Sequence, residues 1–486
     1  MSYLLGIDNG GTVIKAALFD LDGNQIAVKS VKTPLETPAP GFTERSLNSV
    51  REANYTVIRR LTEEYGDDIA AIGLSGHGKG LYVLGRDRED IYPGIGSTDG
   101  RAISYEQQWK ADGTADRVYE RTAQKVLACQ PVALLRWMKD HRPAVYGKIG
   151  YVMSVKDYVR FCLTGEIFTE YSDVSGSNLL NLYTSRYDPW LLAQFGIPEV
   201  ADCLPPIRHS AEICGTVTAE CAAKTGLRAG TPVVGGMFDI DACAIASGCI
   251  RAGDMCLIAG TWSINEYVSD AITADHSVSM NSIFCDPRYY LAEESSATSA
   301  GNLEWFRDIL QNRNYAEIDR LVSSVSAKDC DVYYLPFLYA SNEHPLAKGS
   351  LIGLSGHHTD AHLYRAVYEG VAFSHMTHVR ALLKAAQPAR VRLTGGAVNS
   401  AVWVQIISDV LGLELEIVQD TEMGAKGAAM AAGVGVGVYA DYDDAVARCV
   451  QPFNTVKPDP ARHALYEKKY AKYRRIVDAL DAVWDA

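Results

Sequence analysis

The chain has no run of the ~18 apolar residues that a membrane-crossing helix needs, so no span is expected. Its longest small apolar stretch, residues 427–439, is broken by glycines and reads as a packed helix and turn. The amino terminus, MSYLLGIDNGG, has no basic segment followed by an apolar core, so no secretory signal is expected. Positive charge is in deficit: the formal net charge is −13, which argues against nucleic-acid and anionic-membrane partners. It leaves room for a nucleotide, which arrives with magnesium and is held by local backbone donors. The 11 cysteines are scattered, with no Cys-x-x-Cys pair. That pattern fits reduced thiols in a cytoplasmic protein rather than a disulfide framework or zinc site.

What is present is an ordinary globular composition, 48% hydrophobic and 22% charged, over 486 residues. That length exceeds one core, so two or three domains are expected. YLLGID, the turn NGGT and VIKAALFD read as strand, glycine turn and strand. Asp22-Gly23 then turns into QIAVKSVKT, which predicts a three-stranded antiparallel meander. A helical pattern follows from Ser46 to about Tyr65, and IAAIGLSG is the next buried strand, so the class is α/β with a mixed sheet. A similar order recurs at Met255–Ala259, Gly260-Thr261 and Ile264–Val268. Residues 246–253 are a hinge candidate, and a charged helix begins near Pro460.

Four glycine turns carry the chemistry. In Gly6-Ile-Asp8-Asn-Gly10-Gly11-Thr12, the glycines admit phosphate oxygens to backbone N–H groups and Asp8 can hold a metal through water. The same residues suit a plain hairpin. Val233-Val-Gly-Gly-Met-Phe-Asp239-Ile-Asp241 places carboxylates after a glycine pair at a strand end. Either could accept a hydroxyl proton or hold a metal, and both could cap the following helix. Ile258-Ala-Gly260-Thr261 repeats the strand–glycine–hydroxyl theme, and Leu393-Thr-Gly395-Gly396-Ala-Val-Asn399 offers N–H donors to a nucleotide. His358 and His362, four apart, and His375 and His378, three apart, have helical metal-pair spacing. No nearby cysteine or clear carboxylate partner completes either set, so solvated or core histidines are expected.

These turns, in this order, resemble the FGGY carbohydrate kinases of the actin-like ATPase superfamily over nearly the whole chain. Lys156-Asp157-Tyr158 with Leu163-Thr-Gly-Glu166 resembles the family's middle region. Gly349-Ser-Leu-Ile-Gly353-Leu354 with His362 through Glu369 resembles its carboxyl-terminal signature. Cys129 through His141 keeps the proline and tryptophan of the amino-terminal signature, with Leu134 where lysine is usual. Gly76-His-Gly-Lys79, Gly301-Asn-Leu-Glu-Trp-Phe306 and Glu369 through His378 are most similar to the L-xylulose/3-keto-L-gulonate kinase group.

The resemblance implies two actin-like (ribonuclease-H-like) domains around a central cleft: 1–246 sugar-binding, 247–455 nucleotide-binding, and 456–486 a helix packing on the second. It implies an ATP- and Mg2+-dependent cytoplasmic kinase for a small ketose, L-xylulose at its terminal primary hydroxyl, in pentose- or ascorbate-type catabolism. A kinase for D-xylulose, ribulose or glycerol, or an actin-like ATPase without a sugar acceptor, is the alternative. By motif position, Asp239 is the base and Asp8 and Asp239 hold the metal. Gly10, Gly11, Thr12, Gly260 and Thr261 hold phosphates, and Gly395, Gly396 and Asn399 lie by the adenosine. His77, Gly78, Lys79, Asp99, Arg101 and Asp239 meet the sugar. A cation at Lys79 could face a keto-acid carboxylate or only hydroxyls and solvent. The remaining partners expected are the sugar itself and a second copy of the chain in a homodimer.

Overall fold

The computed structural model describes residues 2–310, 312–339, 341–344, 346–384, 387–420, 422–450 and 454–484. The chain forms two compact units, one of Met1–Ala252, Val268–Ala292 and Glu422–Gln451, the other of Gly253–Tyr267, Glu293–Thr421 and Pro452–Ala486. The observed units are discontinuous, unlike the contiguous domains drawn from sequence: residues 422–451 return to the first unit.

Packing explains that return. The first unit's sheet runs through strands Ile213–Thr216, Pro232–Val234, Ile69–Gly76, Tyr3–Asn9, Val13–Phe19 and Gln25–Lys32, in that order. The last three form the expected antiparallel meander, and Tyr3–Asn9 pairs in parallel with Ile69–Gly76. The helix Met423–Gly435, rich in alanine and glycine, presses directly on this sheet. A Cβ on Gly6 would lie 1.8 Å from the Ala425 carbonyl oxygen, and one on Gly73 equally close to that of Ala428. Only small residues on both surfaces permit backbone approach of this kind.

The opposite side is closed by the helix Leu47–Tyr65. Leu47, Val50, Ala53, Val57, Ile58 and Leu61 recur at helical spacing and are all buried. Each Val, Leu or Ile so buried contributes about 1.5–3 kcal/mol. Ser46 caps the start by accepting from Ser49 N–H, and Gly66, at φ 80°, ends it with its N–H on the Thr62 carbonyl.

In the second unit, Asp254–Ala259 pairs antiparallel with Ser263–Ser269 and parallel with Arg390–Thr394. Leu415–Ile417 and Asn454–Val456 extend the sheet beyond Arg390–Thr394. The helix Asp360–Leu382 is buried on most of its circumference. The carboxyl-terminal helix Pro460–Trp484 packs on it through charge as well as rings. Glu369 accepts from Arg365 Nε at 2.8 Å and from the Tyr466 hydroxyl at 3.1 Å, and it also pairs with Lys469.

Candidate active site

In the first unit, three parallel strand ends converge. Asp8 lies opposite Ser75 at the end of Tyr3–Asn9, while Met237 and Phe238 pair with Ser75 and Gly76 from the other side. Asp239 follows Phe238, and His77, Gly78 and Lys79 follow Gly76. The register alone therefore brings Asp8, the 77–79 loop and Asp239 to one edge, the carboxyl ends where α/β sheets bind ligands.

Each group is held by neighbours. Asp8 Oδ1 accepts from Ser75 Oγ at 2.8 Å. Desolvation raises its pKa above the usual carboxylate value against the opposing pull of Ser75 and Lys15, and Glu422 adds to the rise. Lys15 itself pairs with Glu422 at 2.9 Å. Such a carboxylate, hard and short of positive charge, suits a magnesium ion that keeps its waters and takes one or two protein oxygens. Gly10, Gly11 and Thr12 form the adjoining turn, with Gly11 and Thr12 exposed. Arg45 fixes that turn by donating through Nη1 and Nη2 to the Gly10 carbonyl at 3.2 Å each.

The two neighbouring aspartates differ. Asp239 is the first residue of the helix Asp239–Ala246 and is partly exposed. Asp241 is fully buried, its Oδ1 accepting from Cys285 N–H at 2.8 Å and its Oδ2 without a hydrogen-bond partner. Burial, then nearby Glu170, pushes Asp241 well above the carboxylate range. Neither caps the helix, because the N-cap position is Phe238 and no side chain bonds there.

Behind Asp239 lies a buried ion network. Lys156 Nζ reaches Asp157 at 3.0 Å and Glu170 and Asp173 at 3.2 Å each. Ser172 Oγ donates to Glu170 Oε1 at 2.8 Å and accepts from Phe238 N–H at 2.9 Å. The charges thus reach the residue that presents Asp239. Desolvation lifts the network's third acid, Asp173, to about 6.

On the 77–79 loop, Gly78 packs so tightly that a Cβ would meet the Phe238 ring at 2.3 Å. Lys79 takes a left-handed φ of 62°. His77 is buried and its pKa falls to about 4, by desolvation first and the Arg45 charge second, so it is neutral near pH 7. Asp99 and Arg101 come together, but as a closed pair: Nε to Oδ1 is 2.8 Å and both side chains are 0% exposed. Arg101 also meets Glu44 at 2.8 Å and lies 4.3 Å over the Phe42 ring. Their segment runs beside the 77–79 loop through the Leu81–Ile95 bridge.

The second unit holds a separate cavity of about 510 Å³. Gly260, Thr261, Gly396 and Asn399 line it. Gly395 sits behind, at φ 96°, where a Cβ would lie 2.7 Å from the Ala259 carbonyl. Tyr368 and Trp403 also line the cavity, stacked with centroids 4.3 Å apart. Asp319 accepts from the Tyr368 hydroxyl at 2.8 Å and from Ser400 Oγ at 2.6 Å. An apolar cavity of this size with a few fixed polar groups is suited to a nucleoside.

Residues 3–246 match the N-terminal domain of the FGGY family of carbohydrate kinases, and residues 255–436 match its C-terminal domain. The chain belongs to the FGGY family of carbohydrate kinases. It is 39% identical to the L-xylulose/3-keto-L-gulonate kinase of Escherichia coli (strain K12) over 98% of this chain and 97% of that one. It is 37% identical to a protein of Pasteurella multocida named "Probable L-xylulose kinase", over 99% and 100%. The ligand-bound crystal structure of xylulose kinase from Lactobacillus acidophilus superposes with a TM-score of 0.94 at 25% identity, covering 100% of this chain and 99% of that one.

The protein is thus an ATP-dependent sugar kinase with the two-domain actin-like fold. Sequence reasoning missed the kinase's Tyr368–Trp403 pair and Asp319, which look like core positions of helices. His375, expected from sequence as a solvated or core histidine, is buried, and its bonds to the cavity wall were not foreseen. That side chain donates from Nδ1 to Asn265 Oδ1 at 2.8 Å, and its Nε2 accepts from Ser299 Oγ at 3.0 Å. Ser299 N–H and Ala300 N–H in turn hold the carbonyls of Thr261 and Gly260 at 3.1 and 2.8 Å. Burial lowers His375 to about 3, so this support for the cavity wall stays uncharged.

Proposed function

We propose that this kinase transfers the terminal phosphoryl group of ATP to the terminal primary hydroxyl of L-xylulose, with Asp239 as the base. The observation that carries the reading is the convergence of Asp8, the 77–79 loop and Asp239 at adjacent strand ends. Asp239 is partly exposed, whereas Asp241 is buried and its pKa is pushed up by that burial.

In this reading Asp8 and Asp239 hold magnesium, whose charge offsets that of the phosphates. Gly10, Gly11 and Thr12 present donors to the phosphates, as do Gly260 and Thr261. Gly395, Gly396 and Asn399 face the adenosine, with Tyr368 and Trp403 as the apolar wall. His77, Gly78, Lys79 and Asp239 meet the sugar; Asp99 and Arg101 complete that set as the ion pair that fixes its flanking segment. Neutral His77 can exchange hydrogen bonds with a sugar hydroxyl without a charge penalty. Asp239 accepts the proton of the attacking hydroxyl, a step typically worth ~10²–10⁴-fold. Positioning and charge neutralisation supply most of the rest.

The name of the E. coli relative supports L-xylulose and also raises a keto acid, which Lys79 could pair with. A coupled ADP-release assay across L-xylulose, D-xylulose, L- and D-ribulose, glycerol and 3-keto-L-gulonate tests the choice. The highest kcat/KM is expected with L-xylulose, and product analysis should place the phosphate on the terminal carbon. A higher kcat/KM with any other acceptor overturns the substrate assignment. ADP release that no sugar stimulates overturns the acceptor reading altogether.

A further inference from the structure

The second unit carries a cluster that phosphoryl transfer does not use. His357 and His358 lie on the loop after Gly353, His362 is in the first turn of the helix Asp360–Leu382, and Asp331 comes from a separate segment. The ligand atoms of Asp331, His357 and His358 all lie within 4.8 Å of one another. His358 Nε2 is 2.7 Å from Asp331 Oδ1. The His362 ring centroid is 5.0 Å from that of His358 and 6.1 Å from that of His357. Asp331 is therefore the carboxylate whose absence from the neighbouring sequence made a metal site look incomplete.

We propose that Asp331, His357, His358 and His362 form a binding site for a divalent transition-metal ion of the zinc class. Three imidazoles and one carboxylate are a nitrogen-rich, borderline donor set, which favours Zn2+, Ni2+ or Cu2+ over Mg2+ or Ca2+. Tetrahedral zinc, with ~2.0–2.1 Å bonds, sets its ligand atoms roughly 3.3 Å apart. His358 and Asp331 need to open slightly to reach that spacing, while His357 needs to swing in. Both movements are available, because His357 is exposed and the Asp331 side chain is 64% exposed.

The hydrogen bonds supply the tautomer change that binding requires. Ser355 N–H donates to His358 Nδ1 at 2.9 Å, so the ring proton sits on Nε2 and faces Asp331. Metal at Nε2 moves that proton to Nδ1, where Ser355 Oγ at 3.4 Å can accept it. Thr359 Oγ1, 3.1 Å from His362 Nδ1, serves His362 in the same way, and Ser355 Oγ lies 2.8 Å from His357 Nδ1. Ser355 and Thr359 are both exposed, so their freed N–H groups turn to water. The bound ion would tie the 353–359 loop to the Asp331 segment.

Calorimetric titration with ZnCl2, in excess magnesium to occupy oxygen sites, reads the stoichiometry. One zinc per chain is expected. His357→Ala and His362→Gln should each weaken it by at least about tenfold, the lower bound for disturbing a metal site. Cobalt(II) should give visible d–d bands without a thiolate charge-transfer band. Asp331→Asn together with His357→Ala alters only exposed side chains and should leave the zinc-free melting temperature within a few degrees of the parent. Zinc affinity and stoichiometry equal in the parent and this double variant overturn the proposal, as does no saturable zinc binding by the parent. A thiolate band that survives in the double variant would place the ion on cysteine and overturn it too.

Discussion

The two glycine turns share a backbone frame and differ in what they put on it. Tyr3–Asn9 and Asp254–Ala259 each pair antiparallel with the next strand and parallel with a later one. The penultimate residue is Asp8 in the first strand and Ile258 in the second, and the residues opposite are Lys15 and Ile264. The first turn is thus backed by a desolvated acid that invites a cation. Backing the second is neutral His375, whose bonds hold the cavity wall in place. One frame serves charge and the other shape.

The sharpest break comes from Asp8→Asn. Loss of one preorganised electrostatic contact costs about 10²–10³ in kcat. The same change removes a poorly solvated charge, so the unliganded protein is expected to melt at a higher temperature. Steady-state kinetics and a thermal melt check the pair of effects. A fall in both turnover and melting temperature would place Asp8 among purely structural groups and dissolve the contrast.

His375→Gln should act through the second turn, raising the KM for ATP about five- to thirty-fold, the equivalent of 1–2 kcal/mol from a buried hydrogen-bond network. It also alters the acid limb of stability. His375 and His77 stay neutral when folded, down to about 3 and about 4, whereas unfolded histidine titrates near 6.5. The unfolded chain therefore binds more protons below pH 6.5, and stability falls as pH drops through that window. Denaturant midpoints from pH 7 to pH 4 should decline less steeply for His375→Gln than for the parent. An unchanged slope would show that the buried imidazole is not what titrates.

The smallest effect is expected at the sugar loop. Lys79→Met should reduce kcat/KM for 3-keto-L-gulonate by at least ~5-fold more than for L-xylulose, consistent with one partly exposed ion pair of ~1 kcal/mol. Equal losses would remove charge pairing from the account of Lys79.

The helix Leu47–Tyr65 was legible because its period of 3.6 is set by one buried face, and the meander because glycine turns separate its short apolar runs. The first-unit membership of Met423–Gly435 was not, since an apolar run does not state which sheet it covers. Its glycines and alanines were the available clue, matched by Gly6 and Gly73 on the sheet. As residues alone Asp239 and Asp241 looked alike; motif position favoured Asp239, and the structure adds that Asp241 is fully buried while Asp239 is not. Asp331 stands 27 positions from His358, a separation that no local spacing rule connects.

The central claim is that Asp239, and not Asp241, receives the acceptor hydroxyl's proton at the charged edge of the first unit. Parallel turnover measurements on Asp239→Asn and Asp241→Asn, with ATP and L-xylulose saturating, test it most directly. Asp239→Asn should lose ~10²–10⁴-fold in kcat with ATP binding nearly intact. Asp241→Asn keeps a side-chain oxygen to accept from Cys285 N–H and should turn over near the parent rate. Parent-like turnover by Asp239→Asn, with collapse in a folded Asp241→Asn, would contradict the assignment.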